Sequence, residues 1–319
     1  MILKPIHRDL YSEKAVATIG VFGSKAWLSS YGEELSYVGI YKDEHQMIGG
    51  FYFLKTKKYG FNFLKLPPYT PHCGLFYNSE SKNQSSVNNF SKEIMTEVCR
   101  YISGQNSALT VLAFPSEVED MQPFIWEKFK VVPNYTYRIS LQKSMEEIRT
   151  NFDSKNRNVI NKALKEDVNV ETNILDKQDL YEFFVNSLSA TGANIYKKEL
   201  KNIFLKFSDP SNSFSMEARK NNELLGVVFC VYDRNTCYYL LGGVNKLSGV
   251  GGINNLLVQQ SIEKAKELGC SIFDFEGSML KGVEKFFRSF GPELVPYYTV
   301  NKASLPIEML LKFKKRELF

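Results

Sequence analysis

The chain has 319 residues, of which 44% are apolar and 24% are charged, so it is long enough to bury the cores of two domains. Its formal charge of +5 is mild for this length and does not indicate a DNA-binding protein. The five cysteines lack any CxxC or Cys/His spacing, which argues against a metal site and is typical of reduced thiols. Because the sequence also lacks an apolar leader and any run of about 18 apolar residues, we expect a cytoplasmic protein.

A repeated pattern of strands and helices runs through both halves of the chain. In each half a β-hairpin is followed by an amphipathic helix and then by a strand. These three elements lie at residues 37–54, 88–103 and 108–116 in the first half and at residues 214–231, 252–269 and 270–278 in the second. The sequence therefore predicts a tandem duplication of one unit with a mixed α/β sheet, divided into residues 1–143 and 144–319.

A glycine-rich segment, residues 246–252, lies between the predicted strand 237–244 and the helix that follows. Glycines can adopt positive φ and let backbone N–H groups close on a phosphate at the start of a helix, where the dipole favours an anion. A turn that only starts the helix is the alternative. The candidate cofactor-binding residues are Gly243, Val244, Lys246, Ser248, Gly249, Val250, Gly251 and Gly252, with the phosphate expected at residues 248–252.

Two acidic residues lie near the end of the last strand of the second repeat. In an extended chain, the side chains of Asp274 and Glu276 point to the face opposite the ring of Phe275. They form a candidate acid–base site, with Glu276 as the first choice and Asp274 as its substitute. The alternative is that Glu276 and Ser278 cap the next helix.

The order of elements in each copy resembles the GNAT acyltransferase fold, whose mixed sheet is splayed open at its middle. The segment "KLSGVGG" is similar to the Q/R-x-x-G-x-G/A loop with which that family grips coenzyme A, and it departs from it at Lys246. The later "KFFRSFG" resembles the family's short aromatic helix that ends in glycine. Two such units in one chain resemble the Fem-type acyltransferases.

This resemblance implies N-acyl transfer. The leading hypothesis is an acyltransferase that uses acyl-CoA, most simply acetyl-CoA, on an amine, either a small molecule such as an amino sugar or a nucleotide-linked precursor of the cell envelope. A Fem-type aminoacyl transferase that uses aminoacyl-tRNA on a peptidoglycan precursor is the alternative. A degenerate duplicate that binds a ligand without turnover is a third interpretation.

The repeat also predicts which half is catalytic. Where the second copy has Glu276, the first has Phe114-Pro115-Ser116, and the first also lacks the triple-glycine loop. The C-terminal unit is therefore expected to bind the donor and carry out the chemistry. The N-terminal unit is expected to bind the acceptor, in a cleft between the units.

Further residues are assigned through the expected reaction. Tyr298 is a candidate to protonate the leaving sulfur, although a tyrosine in a strand is more often a packing residue. Four residues are candidates for acceptor binding, with a surface or solvated position as the alternative for each: His72, Ser278, Lys281 and Arg288. Residues 305–319 are basic and amphipathic enough for peripheral membrane contact, but packing against the N-terminal unit is the favoured interpretation.

Overall fold

The computed structural model describes residues 1–58, 60–79, 81–192, 194–245, 249–277 and 279–314. The chain forms two compact units. The first unit contains Met1–Asn134 together with Pro296–Phe319, and the second contains Tyr135–Val295.

The first unit begins with a strand and two helices and continues with a mostly antiparallel sheet. Its elements are β1 (Ile2–Ile6), α1 (Arg8–Ile19), α2 (Lys25–Ser29), β2 (Leu35–Tyr41), β3 (Met47–Lys58), β4 (Phe61–Lys65), β5 (Phe76–Tyr77), α3 (Gln84–Ser103), β6 (Leu109–Ala113) and α4 (Gln122–Trp126). Strand β7 (Lys130–Ser140) leads into the second unit, strand β13 (Glu293–Ala303) returns from it, and α11 (Leu305–Lys314) follows.

The sheet of the first unit has the strand order β1-β2-β3-β4-β6-β13. The predicted hairpin is the antiparallel pair β2–β3, and β4 pairs with β6 in parallel. Helix α3, capped by the Asn83 side chain, covers this sheet with its apolar stripe. The buried core joins hairpin, helix and strand, and it includes Val38, Phe51, Phe53, Ile94, Val98 and Leu112.

The second unit repeats this plan with a longer helical entry. Its elements are α5 (Met145–Thr150), α6 (Ser154–Leu164), β8 (Asn169–Thr172), α7 (Lys177–Ser189), α8 (Lys197–Asn202), β9 (Ser213–Lys220), β10 (Glu223–Tyr232), β11 (Thr236–Val244), α9 (Ile253–Glu267), β12 (Ile272–Asp274) and α10 (Lys281–Arg288). The helical entry begins with two helices, because Ser144 and Asp153 each cap a separate start.

The sheet of the second unit has the order β8-β9-β10-β11-β12-β7. Strands β9 and β10 form the predicted hairpin, β11 and β12 are parallel, and β12 is antiparallel to β7. Helix α9 packs on one face of this sheet over a continuous apolar core. That core includes Val228, Cys230, Leu256, Ile262, Phe273 and Phe275.

The two repeats exchange their closing strands. Strand β6 of the first repeat pairs with residues 299–303 of β13, which comes from the end of the chain. Strand β12 of the second repeat pairs with residues 138–140 of β7, which comes from the end of the first repeat. The compact units therefore differ from the predicted division at residue 143, which assigned each repeat its own closing strand. The functional assignment of the two halves stays a prediction.

Within the described residues, no helix has both the length and the apolar character that crossing a bilayer requires. Helix α11 belongs to the first compact unit, as the favoured interpretation of residues 305–319 required. Its Leu305 and Met309 side chains are nevertheless exposed, by 73% and 61%. Membrane contact by this helix stays a prediction.

Candidate active site

Strands β11 and β12 run side by side for only three residues and then part. Thr236–Tyr238 pair with Ile272–Asp274, but β11 continues to Val244 while the chain after Asp274 follows β7 instead. The N–H of Phe275 donates to the carbonyl of Tyr137 at 2.9 Å. A wedge thus opens between the carboxyl ends of two parallel strands, which is where open α/β sheets bind ligands.

The edge of β11 that faces the wedge carries backbone N–H groups. A β-bulge at Leu240 shifts the register of β11 against β10. Beyond the bulge, the N–H of Asn245 donates to the carbonyl of Leu225 at 2.7 Å. Because N–H directions alternate along an antiparallel strand, those of Gly242 and Val244 point away from β10 and toward the wedge. These groups are suited to stabilise an oxyanion.

Glu276 lies at the end of β12 in an unusual backbone conformation. Its φ of 56° is in the left-handed region, which is uncommon for a residue with a side chain and recurs at functional sites. The residue is half-buried, but its Oε1 atom is inaccessible to solvent and has no hydrogen-bond partner among the described residues. Burial raises the pKa of this carboxyl well above its ordinary value, and the charges of Asp274 and Cys230 add to the increase.

The interpretation of Glu276 as a helix cap is wrong. Helix α10 begins at Lys281, its N-cap residue is Leu280, and no side chain of the described residues caps it. Ser278, the other predicted cap and a candidate substrate ligand, lies outside the described residues. A buried carboxyl that has a raised pKa and does not cap a helix is instead a functional-site candidate.

Asp274 is in a different environment from Glu276, although the sequence pattern treated them as one pair. The alternation that would place both carboxyls on one face fails, because β12 ends at Asp274 and Glu276 is not extended. Asp274 is 3% exposed and forms an ion pair with Arg138, whose Nε lies 2.7 Å from Oδ2. Its Oδ1 accepts hydrogen bonds from the Thr136 hydroxyl at 2.5 Å and from the Glu276 N–H at 2.8 Å. Both oxygens are occupied, so Asp274 is better suited to hold the turn than to accept a proton.

Gly277 is required by the fold itself. Its φ is 73°, and a Cβ at this position would lie 2.2 Å from the carbonyl oxygen of Tyr135. The close contact with β7 accounts for the residue.

The glycine-rich segment leads into helix α9 as predicted. Its positions differ in whether the surrounding structure requires a glycine. Gly252 is the N-cap of α9 with a φ of 83°, and a Cβ there would meet the backbone of Val159. Gly249 has a φ of 69° in open space. Gly251 has no atom within 4 Å of a Cβ position and no positive φ, so nothing in the described chain requires a glycine there. Lys246 and Ser248 lie outside the described residues.

Three other predicted donor-binding residues have packing roles. Gly243 lies beneath helix α7, where a Cβ would be 2.5 Å from the Ser187 hydroxyl oxygen. The side chains of Val244 and Val250 pack against the core under α9. Only their backbone groups remain candidates for contact with a donor.

Sequence reasoning missed Tyr239 and Asn254. The Tyr239 hydroxyl occupies the niche over Gly242, at 1.7 Å from where a Cβ would be. Burial raises the pKa of this phenol above its ordinary value, and a hydrogen bond with the Asn254 side chain opposes the increase. The signal in the sequence was the pair Gly242 and Gly243, which comes shortly after Tyr238 and Tyr239 in β11. Two adjacent glycines in a strand indicate that a bulky side chain occupies the space beside them.

The remaining predicted residues lie in both units. Tyr298 belongs to the first unit and packs against its core. His72 is also in the first unit, where its Nδ1 accepts a hydrogen bond from the Gly74 N–H at 3.2 Å. Lys281 is exposed at the start of α10, and Arg288 pairs with Glu284 at 2.7 Å on the same helix. Their roles stay predictions. Across the described residues, no cluster of side chains fits a metal ion.

Comparison with known proteins identifies the fold. Residues 151–288 match the family model described as an acetyltransferase (GNAT) domain. None of the curated proteins compared with the chain matches it in sequence. The crystal structure of FemX has a TM-score of 0.67 and 12% identity, over 98% of this chain and 100% of that one.

Two further solved structures are similar over almost the whole chain. L-PGS from Bacillus licheniformis has a TM-score of 0.58 and 12% identity, covering 95% of each chain. A tandem GNAT protein from the clavulanic acid biosynthesis pathway has a TM-score of 0.54 and 7% identity, covering 94% of this chain and 97% of that one. The predicted tandem GNAT fold of Fem-like type is confirmed, and the match of residues 151–288 identifies this part of the chain as an acetyltransferase (GNAT) domain.

Proposed function

We propose that this acyltransferase moves an acyl group from acyl-CoA, most simply acetyl-CoA, to the nitrogen of an amine, with Glu276 as the general base. The observation that carries the proposal is the Glu276 carboxyl: it is buried, its pKa is raised, and it lies where β11 and β12 part. A raised pKa brings a carboxyl closer to the working pH, where a general base is most effective.

The donor's pyrophosphate is assigned to the backbone of residues 249–252 and the start of α9. The N-cap residue Gly252 has no side chain to accept the first N–H groups of this helix, so they are suited to bind an anion. Gly251 supports the assignment, since its open surroundings would admit a side chain but a phosphate close to the backbone would not. The predicted contribution of Lys246 and Ser248 belongs to the same proposal.

The reaction follows from these positions. The neutral amine attacks the thioester carbonyl carbon, and a C–N bond forms as the carbonyl oxygen becomes an oxyanion, which the N–H groups of Gly242 and Val244 stabilise. Glu276 accepts the proton that the amine nitrogen loses, directly or through one water. The C–S bond then breaks and the thiolate leaves. The Tyr239 hydroxyl, which lies on the same strand as Gly242 and Val244, is proposed as the donor of the proton that the thiolate takes up.

The acceptor is proposed to be an amino sugar or another amine of a cell-envelope precursor. The fold shared with FemX and L-PGS supports this class. The five cysteines are all buried and free, which suits a reducing cytoplasm.

Aminoacyl transfer from tRNA is the second candidate. Helix α6 exposes four basic residues on the surface of the second unit, and they offer a place for a nucleic-acid backbone: Lys155, Arg157, Lys162 and Lys165. Binding to tRNA would weaken steeply as salt rises, because bound phosphates release counterions. Binding to coenzyme A, which has far fewer phosphates, would change much less.

A ligand panel followed by thermal unfolding separates the two candidates. Acetyl-CoA and coenzyme A are each expected to raise the melting temperature, since a ligand at 100 times its Kd stabilises a protein by about 2.7 kcal/mol. Total tRNA is the competing probe, tested at low and high salt. A rise in melting temperature with tRNA alone would favour aminoacyl transfer. A response to neither ligand would favour the non-catalytic interpretation.

A further inference from the structure

A compact polar cluster is formed around Asp274, two residues before Glu276. Its centre is Asp274, which is 3% exposed and accepts three hydrogen bonds. Two come from neighbouring strand β7: the Thr136 hydroxyl at 2.5 Å and the Arg138 Nε at 2.7 Å. The third comes from the backbone N–H of Glu276 at 2.8 Å.

The backbone after Asp274 needs such an anchor. Glu276 and Gly277 have consecutive positive φ values of 56° and 73°, so the chain turns sharply at the catalytic position. A residue with a side chain holds this conformation only where its surroundings fix it. Asp274 and the contact of Gly277 with Tyr135 fix the turn from both sides.

We propose that Asp274 is a positioning residue, which holds the carboxyl of Glu276 at the mouth of the wedge and is itself held by Thr136 and Arg138. The inference rests on the proposed function, because position matters for turnover only if Glu276 is the base. It replaces the sequence-based hypothesis that Asp274 is a substitute base. Since its carboxylate is buried and ion-paired, it does not need to touch the substrate to act.

The cluster also has an electrostatic effect on Glu276. The charge of Asp274 raises the pKa of the Glu276 carboxyl in addition to burial. From the other strands, the groups that face the two carboxyls are Cys230 on β10, Tyr238 on β11 and Arg138 on β7. Replacing Asp274 with a neutral residue should therefore lower the pH at which Glu276 ionises.

The main test is Asp274→Asn, examined as a pH profile of turnover. The acidic limb should move to lower pH because a negative charge next to Glu276 is lost. On the alkaline plateau Glu276 is ionised in both proteins, so the plateau reports geometry. We expect it to fall by about 10²-fold, the effect of displacing a reacting group by about 1 Å. A plateau within about twofold of the wild type would overturn the proposal.

Two variants of Thr136 keep the charge of Asp274 and change only a hydrogen bond that holds its carboxylate. Thr136→Val removes the hydroxyl that donates to Asp274, whereas Thr136→Ser keeps it. The valine variant should lose turnover with the acidic limb unmoved, and the serine variant should retain it. Equal turnover in the two would overturn the role of this anchor, and the test remains available if Asp274→Asn does not fold.

Exchange of the Glu276 amide, followed by NMR, gives a readout independent of activity. Its protection should fall at least about tenfold in Asp274→Asn, because the acceptor weakens from a charged to a neutral oxygen. Unchanged protection would contradict the anchoring role. If Glu276→Gln keeps full turnover, the base assignment fails; if it is inactive while Asp274→Asn is fully active, only the positioning role fails.

Glu217→Gln is the matched control. Glu217 is also fully buried in the second unit and accepts backbone N–H groups, from Ile174 and Leu175. It also accepts a hydroxyl and lies near an arginine, through Ser215 and Arg219. Its replacement should lower stability but leave the pH profile and the Glu276 amide unchanged. A matching shift in this control would mean that any loss of buried charge produces the effect.

Discussion

Replacing Glu276 with glutamine tests the base assignment directly. Glutamine keeps the size and hydrogen-bonding capacity of the side chain but cannot accept the amine proton. Turnover should fall by about 10²–10⁴-fold, the usual contribution of a general base. The donor KM should change little, because the assigned donor contacts are with the backbone of residues 249–252.

The same variant has a predicted effect on stability, and its sign follows from the raised pKa of Glu276. A carboxyl whose pKa is higher in the folded state stabilises the fold while it is protonated, below the unfolded value of about 4.3. This stabilisation is lost as the pH rises through the folded-state pKa. Glutamine does not ionise, so the variant should become more stable relative to the wild type as the pH rises.

Two measurements check this reasoning. Thiol release from acetyl-CoA gives kcat and KM, and thermal unfolding of both proteins across the pH range gives the stability difference. If Glu276 capped a helix, its replacement would instead lower the free energy of unfolding by about 1 kcal/mol. Full turnover in a folded Glu276→Gln protein would refute the catalytic role, and a variant that loses relative stability with rising pH would refute the buried-carboxyl argument.

The remaining predictions concern Gly251, which lies in open surroundings, and Gly277, which lies in close contact with a neighbouring strand. Gly251→Val should raise the donor KM by about tenfold, equivalent to about 1.4 kcal/mol, with the melting temperature unchanged, because only a bound phosphate would meet the new side chain; unaltered donor affinity would place the donor site elsewhere. Its control, Gly252→Val, should destabilise the protein through Val159 and the positive φ. Gly277→Ala should lower the free energy of unfolding by at least about 2 kcal/mol, measured in urea, because its Cβ overlaps the Tyr135 carbonyl; wild-type stability would contradict this close contact.

The sequence alone determined the features that depend on local pattern. Alternating and helical periodicities located the hairpins β2–β3 and β9–β10 and the helices α3 and α9. The glycines and polar residues of the segment before α9 identified where that helix starts. The repeat of these elements was sufficient to predict a tandem duplication, because each repeat carries its own hydrophobic pattern, and its resemblance to the GNAT family supplied the fold.

The tertiary structure decided what depends on contacts between distant segments. The exchange of β7 and β13 between the repeats pairs residues more than 100 positions apart, and no local pattern encodes it. The different environments of Asp274 and Glu276 arise in the same way. Their spacing suggested equivalent carboxyls, but Thr136 and Arg138, brought alongside by β7, pair with Asp274, whereas the Glu276 Oε1 atom is buried without a partner among the described residues. Burial and charge pairing set the pKa of a carboxyl, and both are properties of the folded chain.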